Sequence, residues 1–242
     1  MMMTTMRACA EFALLALATL ILGAGNAGAV IAQRGATTSA TATSTTLTIN
    51  KPAGVVAGDV MLATIASFGT VATVQTTPVC AGWTLVKSGN LRTSTNYPYG
   101  AVMYRVADGT EGTNFAFTLG AGTVNAVGDI MAFSGVDATG GVNQAGTAAS
   151  GPFDVTPGAF QVNTSTGTTL TPAAITTTTA NAAVVLCGMS GGTSSVAWSA
   201  WTTTSPGTLT EVADHATTSA SVGAAWATKA AAGSTGSGSV TL

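Results

Sequence analysis

Leu47 and Ile49 flank Thr48, and Phe115, Phe117 and Leu119 alternate with Ala116 and Thr118. A period of two is the mark of a strand with one face in a core. Val102, Tyr104 and Val106 fall on one face of another strand, with Ala101, Met103 and Arg105 on the other. Trp83, Leu85 and Lys87 are expected to point one way along the strand before it. Two apolar-leaning runs, residues 60–65 and 127–136, suit central strands of a sandwich. Turn material separates these runs: Lys51-Pro52-Ala53-Gly54, Ala57-Gly58-Asp59 and Asp108-Gly109-Thr110-Glu111-Gly112. Further strands are expected at residues 182–186, 196–201, 209–212, 221–228 and 237–242. The strongest challenger for a helix after residue 29 is 224–232, because alanine is the best helix former. Trp226 and the stop at Gly233 argue for a strand there.

The pattern repeats once, at a spacing of about 123 residues. Thr46-Leu47-Thr48-Ile49 opens a unit that closes on Phe115-Ala116-Phe117-Thr118-Leu119, and Thr169-Leu170-Thr171 opens one that closes on Gly238-Ser239-Val240-Thr241-Leu242. Between them Val60-Met61-Leu62-Ala63 matches Val184-Val185-Leu186-Cys187, and Gly82-Trp83-Thr84-Leu85-Val86 matches Gly207-Thr208-Leu209-Thr210-Glu211-Val212. Gly100-Ala101-Val102-Met103-Tyr104 matches Gly223-Ala224-Ala225-Trp226, which sets Trp226 at the position of Met103. Half-repeats 46–119 and 169–242, joined by the weakly patterned insert 138–167, predict one all-β domain over 30–242. Its expected architecture is a jelly-roll-like sandwich of two antiparallel sheets built from two similar halves.

Several of these segments look familiar together. Val60-Met61-Leu62-Ala63, Gly82-Trp83-Thr84-Leu85-Val86, Tyr104-Arg105-Val106-Ala107, Phe115-Ala116-Phe117 and Ile130-Met131-Ala132-Phe133-Ser134-Gly135-Val136-Asp137 resemble a jelly-roll module of exported bacterial and phage-associated surface proteins. The resemblance implies a lectin-like or concanavalin-like β-sandwich. It transfers no catalytic or binding residue.

The first 29 residues read as a signal peptide: Arg7 is its positive end, 12–22 its apolar core, and Ala27-Gly28-Ala29 the small residues before cleavage. The apolar run is short of the roughly 20 residues of a membrane span, so the expected product is secreted, with no span after cleavage. Removal of the leader takes Cys9 and leaves Cys80 and Cys187, which an exported chain is permitted to join. A disulfide and a buried thiol within the apolar run around Cys187 stand level on sequence alone.

Charged residues are 7 % of the chain, seven Lys and Arg against nine Asp and Glu for a net charge of -2. Ordinary domains carry about 25 %. With no basic patch, nucleic acid is not an expected partner. Hydrophobic residues at 46 % argue against disorder. Among the candidate chemistries, a hydrolytic triad has only His215, beside Asp214, and neighbouring strand positions point opposite ways. Paired acids of a glycosidase are not brought together by the spacing of Asp59, Asp108, Asp137, Glu111 and Glu211. An enzyme is therefore not expected. Tyr97, Tyr99 and Trp201 are the candidates for stacking against a surface glycan. Asp108 and Glu111 are the candidates for a calcium ion, which takes oxygen ligands; no other cofactor is expected. Trp83 and Trp226 read as core anchors.

The remaining expectation is structural. Residues 30–49 carry only Arg34 and residues 237–242 no charge, whereas exposed edge strands are normally guarded by charge or proline. Such segments fit strand exchange between copies of the chain, giving a filament or surface layer. A non-catalytic carbohydrate-binding or adhesive module is the alternative. Export with cleavage after Ala29 makes one firm prediction. The intact mass of the secreted protein should correspond to a chain beginning at Val30, and a mass that retains residues 12–22 refutes it.

Overall fold

The computed structural model describes residues 30–69, 76–91, 98–162, 168–191 and 196–242; the proposed leader lies outside them. Among the described residues there are strands and no helix. The first half comprises β1 (Ala32–Gln33), β2 (Thr38–Ala42), β3 (Thr46–Asn50), β4 (Val60–Gly69), β5 (Thr84–Asn90), β6 (Pro98–Val106), β7 (Asn114–Thr118) and β8 (Thr123–Ser134). The second comprises β9 (Thr169–Leu170), β10 (Thr176–Thr177), β11 (Ala182–Gly191), β12 (Ser199–Thr203), β13 (Thr210–Ala216), β14 (Ala220–Lys229), β15 (Gly233–Ser234) and β16 (Gly238–Thr241). The alanine-rich challenger for a helix is strand β14.

All the ladders are antiparallel, and the two halves pair alike. β4 pairs with β6 and β6 with β5; β11 pairs with β14 and β14 with β13. β3 pairs with β7 as β9 pairs with β16. Val79 bridges Thr118 of β7 where the second half sets a full strand, β12, against β16. Besides the short β10–β15 pair, found in the second half alone, the halves differ at one edge of their inner sheets. β8, flanked in turn by β1 and β2, covers the far side of β4, whereas β11 ends its sheet.

Alternation decides which layer each face meets. Met61, Ala63 and Ile65 of β4, with Ile130 and Ala132 of β8, face Leu47, Ile49, Phe115 and Phe117 of the β3–β7 pair. The opposite faces of the same strands put Leu62, Met131 and Phe133 against Ala213, Ala224 and the half-buried Trp226 of the second half. Beyond β11 and β14, Val184 and Ala225 face Trp198, Trp201 and Val240, on the side of the β12–β16–β9 sheet. The expected two-sheet sandwich is thus four layers, two sandwiches set back to back. Each layer removes apolar area from water at about 25 cal/mol per Å².

This layering corrects the fine alignment of the repeat. Met61 and Ala63 face an outer core, and their counterparts in the second outer core are Val184 and Leu186. Matching Val60–Ala63 to Val184–Cys187 is therefore one residue off, and a one-residue slip turns every side chain to the wrong face. Likewise Trp226 shares the central layer with Tyr104, while Met103 faces the outer core. Trp83 and Leu85 do point together into the first core, but a bulge between Leu85 and Lys87 carries Lys87 to the level of Val102 on the opposite face.

Trp198 shows how closely the second sandwich is fitted. It is 2 % exposed and stacks on Trp201 with ring centroids 5.8 Å apart. Its indole lies on Gly188 and Gly223, which pair across β11 and β14. A Cβ on Gly223 would stand 2.5 Å from the indole Cγ, and one on Gly188 2.6 Å from a ring carbon. Neither contact is tolerable without moving a rigid ring. Gly223→Ala should destabilise the chain by about 1–3 kcal/mol in urea unfolding, and Trp198→Leu should recover part of that loss in the double variant. A neutral Gly223→Ala refutes the fit.

Candidate functional site

The candidate residues are dispersed. Tyr97 lies outside the described residues. Tyr99 sits on β6 with its hydroxyl donating to Ser88 Oγ at 3.0 Å and 3.2 Å from Thr77 Oγ1, so its polar tip is engaged by its own sheet. Trp201 is 3 % exposed, and its indole N–H donates to Glu211 Oε2 at 2.7 Å. A buried, satisfied indole does not serve as a stacking platform at the surface, which corrects that expectation. Proximity to Trp198 in the sequence reflected a shared core, not a shared surface.

Asp108 and Glu111 do meet, but around a guanidinium. Arg105 Nη2 lies 3.1 Å from Asp108 Oδ2 and Nε 3.4 Å from Glu111 Oε1. Glu111 also accepts the backbone N–H groups of Asp108 and Gly109, at 2.6 and 3.1 Å. Asp108 accepts the backbone N–H of Thr110 at 2.7 Å and also its hydroxyl. These hydrogen bonds, with Arg105, hold the Asp108 carboxyl below its usual range. Oxygen atoms expected to bind calcium are turned to closing the β6–β7 turn. No group of three or more His, Cys, Asp or Glu side chains suited to a metal occurs among the described residues.

Cys80 and Cys187 are free thiols. Cys80 packs on the outer core of the first half and Cys187 in the central layer, so the β4–β6 sheet stands between them. The disulfide alternative is corrected accordingly. Burial pushes the Cys187 thiol up to about 12 and raises Cys80 against the opposing pull of Arg105. Neither is an activated nucleophile. His215 lies within β13 opposite Val222, with the exposed Asp214 at the neighbouring, opposite-facing position.

No family model, curated protein or solved structure matches this chain. Two features unforeseen in the sequence remain. The first is Asp129, 0 % exposed on β8 and opposite Thr64 of β4 in the ladder. Neither carboxyl oxygen has a hydrogen-bond partner, nor does Thr64 Oγ1 or the buried Ser221 Oγ on β14. Asp129 shares its face of β8 with Val127 and Met131, so it points into the central layer. Its signal in the sequence is a lone acid inside the apolar run 127–136, which as a whole reads as a core strand.

The second is a groove of about 1290 Å³ along β11. Val86 and Val102 contribute to it from the first half, Phe160 from the insert, and Leu170 from β9. The insert holds its own shape through bridges from Gly141 to Gly151 and Val142 to Phe153. No sequence motif marks a groove formed by absence of a neighbour; only the unequal halves point to it.

Asp129 carries a pH prediction. Desolvation raises its carboxyl to about 7, with nearby Thr64 offsetting part of the effect. An unfolded chain holds that proton only to about pH 4. Stability contributed by the protonated form is complete below about pH 4, falls as pH climbs to about 7, and levels off above, with a slope of up to about 1.4 kcal/mol per pH unit. Asp129→Asn should remove this decline while keeping the side chain's shape. Urea midpoints of the two proteins from pH 4 to 8 test it, and parallel curves refute it.

Proposed function

We propose that this chain is a structural, non-catalytic module of an exported surface assembly, joined to copies of itself through a sheet edge. The leader pattern of residues 1–29 supports export, and the charge content of 7 % supports association because it leaves little repulsion between copies. Residues 30–49 and 237–242, the segments expected to be exchanged, are engaged within their own chain. β1 and β2 pair with β8, β3 with β7, and β16 with both β12 and β9. The edge that supports assembly is β11.

β11 is the observation that carries this reading. Ala182–Gly191 is ten residues long, contains no charge and no proline, and ends its sheet. Other long edges are guarded: β5 by Lys87 and a bulge, β13 by Glu211, Asp214 and a bulge. β2, β9 and β12 are short. Adhesion to surface glycans, the second expectation, draws no support from the buried Trp201.

Light scattering and negative-stain microscopy of the secreted chain test the reading. The chain should form particles larger than a monomer, and Ala183→Lys, which sets a charge on the edge, should reduce them to monomers. A chain that stays monomeric at high concentration, or Ala183→Lys particles of unchanged size, overturns it.

A further inference from the structure

The first half shows what an edge of this kind receives. β4 is ten residues long, as β11 is, and pairs with β6 on one side as β11 pairs with β14. On its other side β4 is matched antiparallel by β8, from Val60 opposite Phe133 to Phe68 opposite Asn125. That neighbour makes β4 a central strand, buried at nine of its ten positions. β11 lacks the counterpart, and most of its residues are half-buried. The groove lies where the counterpart would lie. Its lining takes in β11 from Ala182 to Met189, and Val86 and Val102 contribute from the face of the β5–β6 pair turned toward the second half. Phe160 bounds it, its ring near Gly89 and Gly100, where an added Cβ would stand 3.1 and 3.3 Å away.

We propose that this groove is an acceptor for one extended peptide strand, supplied in trans, running antiparallel to β11 as β8 runs against β4. The inference shares the free edge of β11 with the assembly reading above and goes beyond it by naming the chemistry of a separate segment that would take a copy's place there. An edge offers a row of N–H and C=O groups that only another backbone satisfies in register. A bounded groove beside one strand admits a free segment more readily than the rim of a second folded sandwich. Ten paired residues span about 34 Å.

Charge narrows the occupant. β11 contributes no charge. Asp137 and Asp154, which also line the groove, are already engaged, Asp137 by its own loop and Asp154 by the turn before β11. Asp137 accepts the N–H groups of Thr139 and Gly140, and Asp154 those of Thr178 and Thr179. Lys87 is left to face an entering strand. The fitting segment is therefore apolar and small-residue-rich, with at most one acid. β8, Thr123–Ser134, has this composition and a single acid, Asp129.

A synthetic peptide of the β8 sequence, added to the full secreted chain, is the probe. Amide hydrogen exchange across residues 182–191 should slow at least tenfold at saturation. The same peptide carrying Val127→Pro and Met131→Pro should bind at least tenfold more weakly, since proline cannot donate to a ladder. Val86→Lys, at the half-buried floor, should weaken binding by a similar factor; if that variant fails to fold, the comparison of peptides still decides. Unchanged exchange at 182–191, or equal binding of the proline peptide, overturns the proposal. Where assembly already protects 182–191, saturating peptide should displace the copy and shrink the particles, and particles of unchanged size overturn the proposal. Particle size without peptide reports separately on assembly. A monomer that binds the peptide retires self-association and keeps the acceptor, and an assembly that ignores it does the reverse.

Discussion

A strand enclosed on both faces and both edges has no solvent to turn to, and β4 is in that position. β6 and β8 take its backbone groups, the β3–β7 pair covers one row of its side chains, and β11 and β14 cover the other. Each residue of β4 must therefore match a neighbour on a set side. This is why the order Val60-Met61-Leu62-Ala63-Thr64-Ile65 is apolar at almost every position rather than alternating. It also makes the two sandwiches one structure. The outer pair β3–β7 and the second half share no long interface, and both are held by opposite faces of the same sheet.

Much of the layered arrangement was legible because alternation is a local signal. Leu47, Ile49, Phe115 and Phe117 announced a half-buried pair, and that pair formed with Leu47 opposite Phe117 and Ile49 opposite Phe115. The repeat was legible as order but not as phase. Sequence matching weighs chemical likeness, so Leu62 was aligned with Leu186, whereas the fold weighs which face a residue turns. Lys87 was misplaced for the same reason, since a bulge inserts a residue without any distinctive side chain. The candidate sites fared worse because they depended on exposure. Trp201 and the acids Asp108 and Glu111 have side chains suited to ligands, yet an acid and a guanidinium from their own chain already satisfy them. Nothing in residue type distinguishes the two situations.

Scarce charge shapes what remains. Where the chain does place ionic groups, it tends to spend them on fastening turns, as at Arg105 with Asp108 and Glu111. Asp129 breaks that habit by standing fully buried in the central layer with no ion-pair partner among the described residues, on the face of β8 that carries Val127 and Met131. A polar group in that setting costs free energy unless neutral, and its neighbours Thr64 and Cys187 bring no positive charge to offset it. Cohesion between the two sandwiches is thereby tied to a proton, while cohesion within each depends on side-chain fit.

Arg34 and Asp59 make the other firm fastening. The guanidinium reaches both carboxyl oxygens, at 2.9 and 3.2 Å, while Asp59 also accepts the N–H of Val56 at 3.0 Å and Arg34 donates its own N–H to Ala132 at 2.7 Å. The link from β1 to β2, the turn before β4 and the body of β8 are knotted at this point. A pull on the start of the domain is therefore shared between β8 and the turn before β4 instead of falling on the two-residue β1 ladder alone.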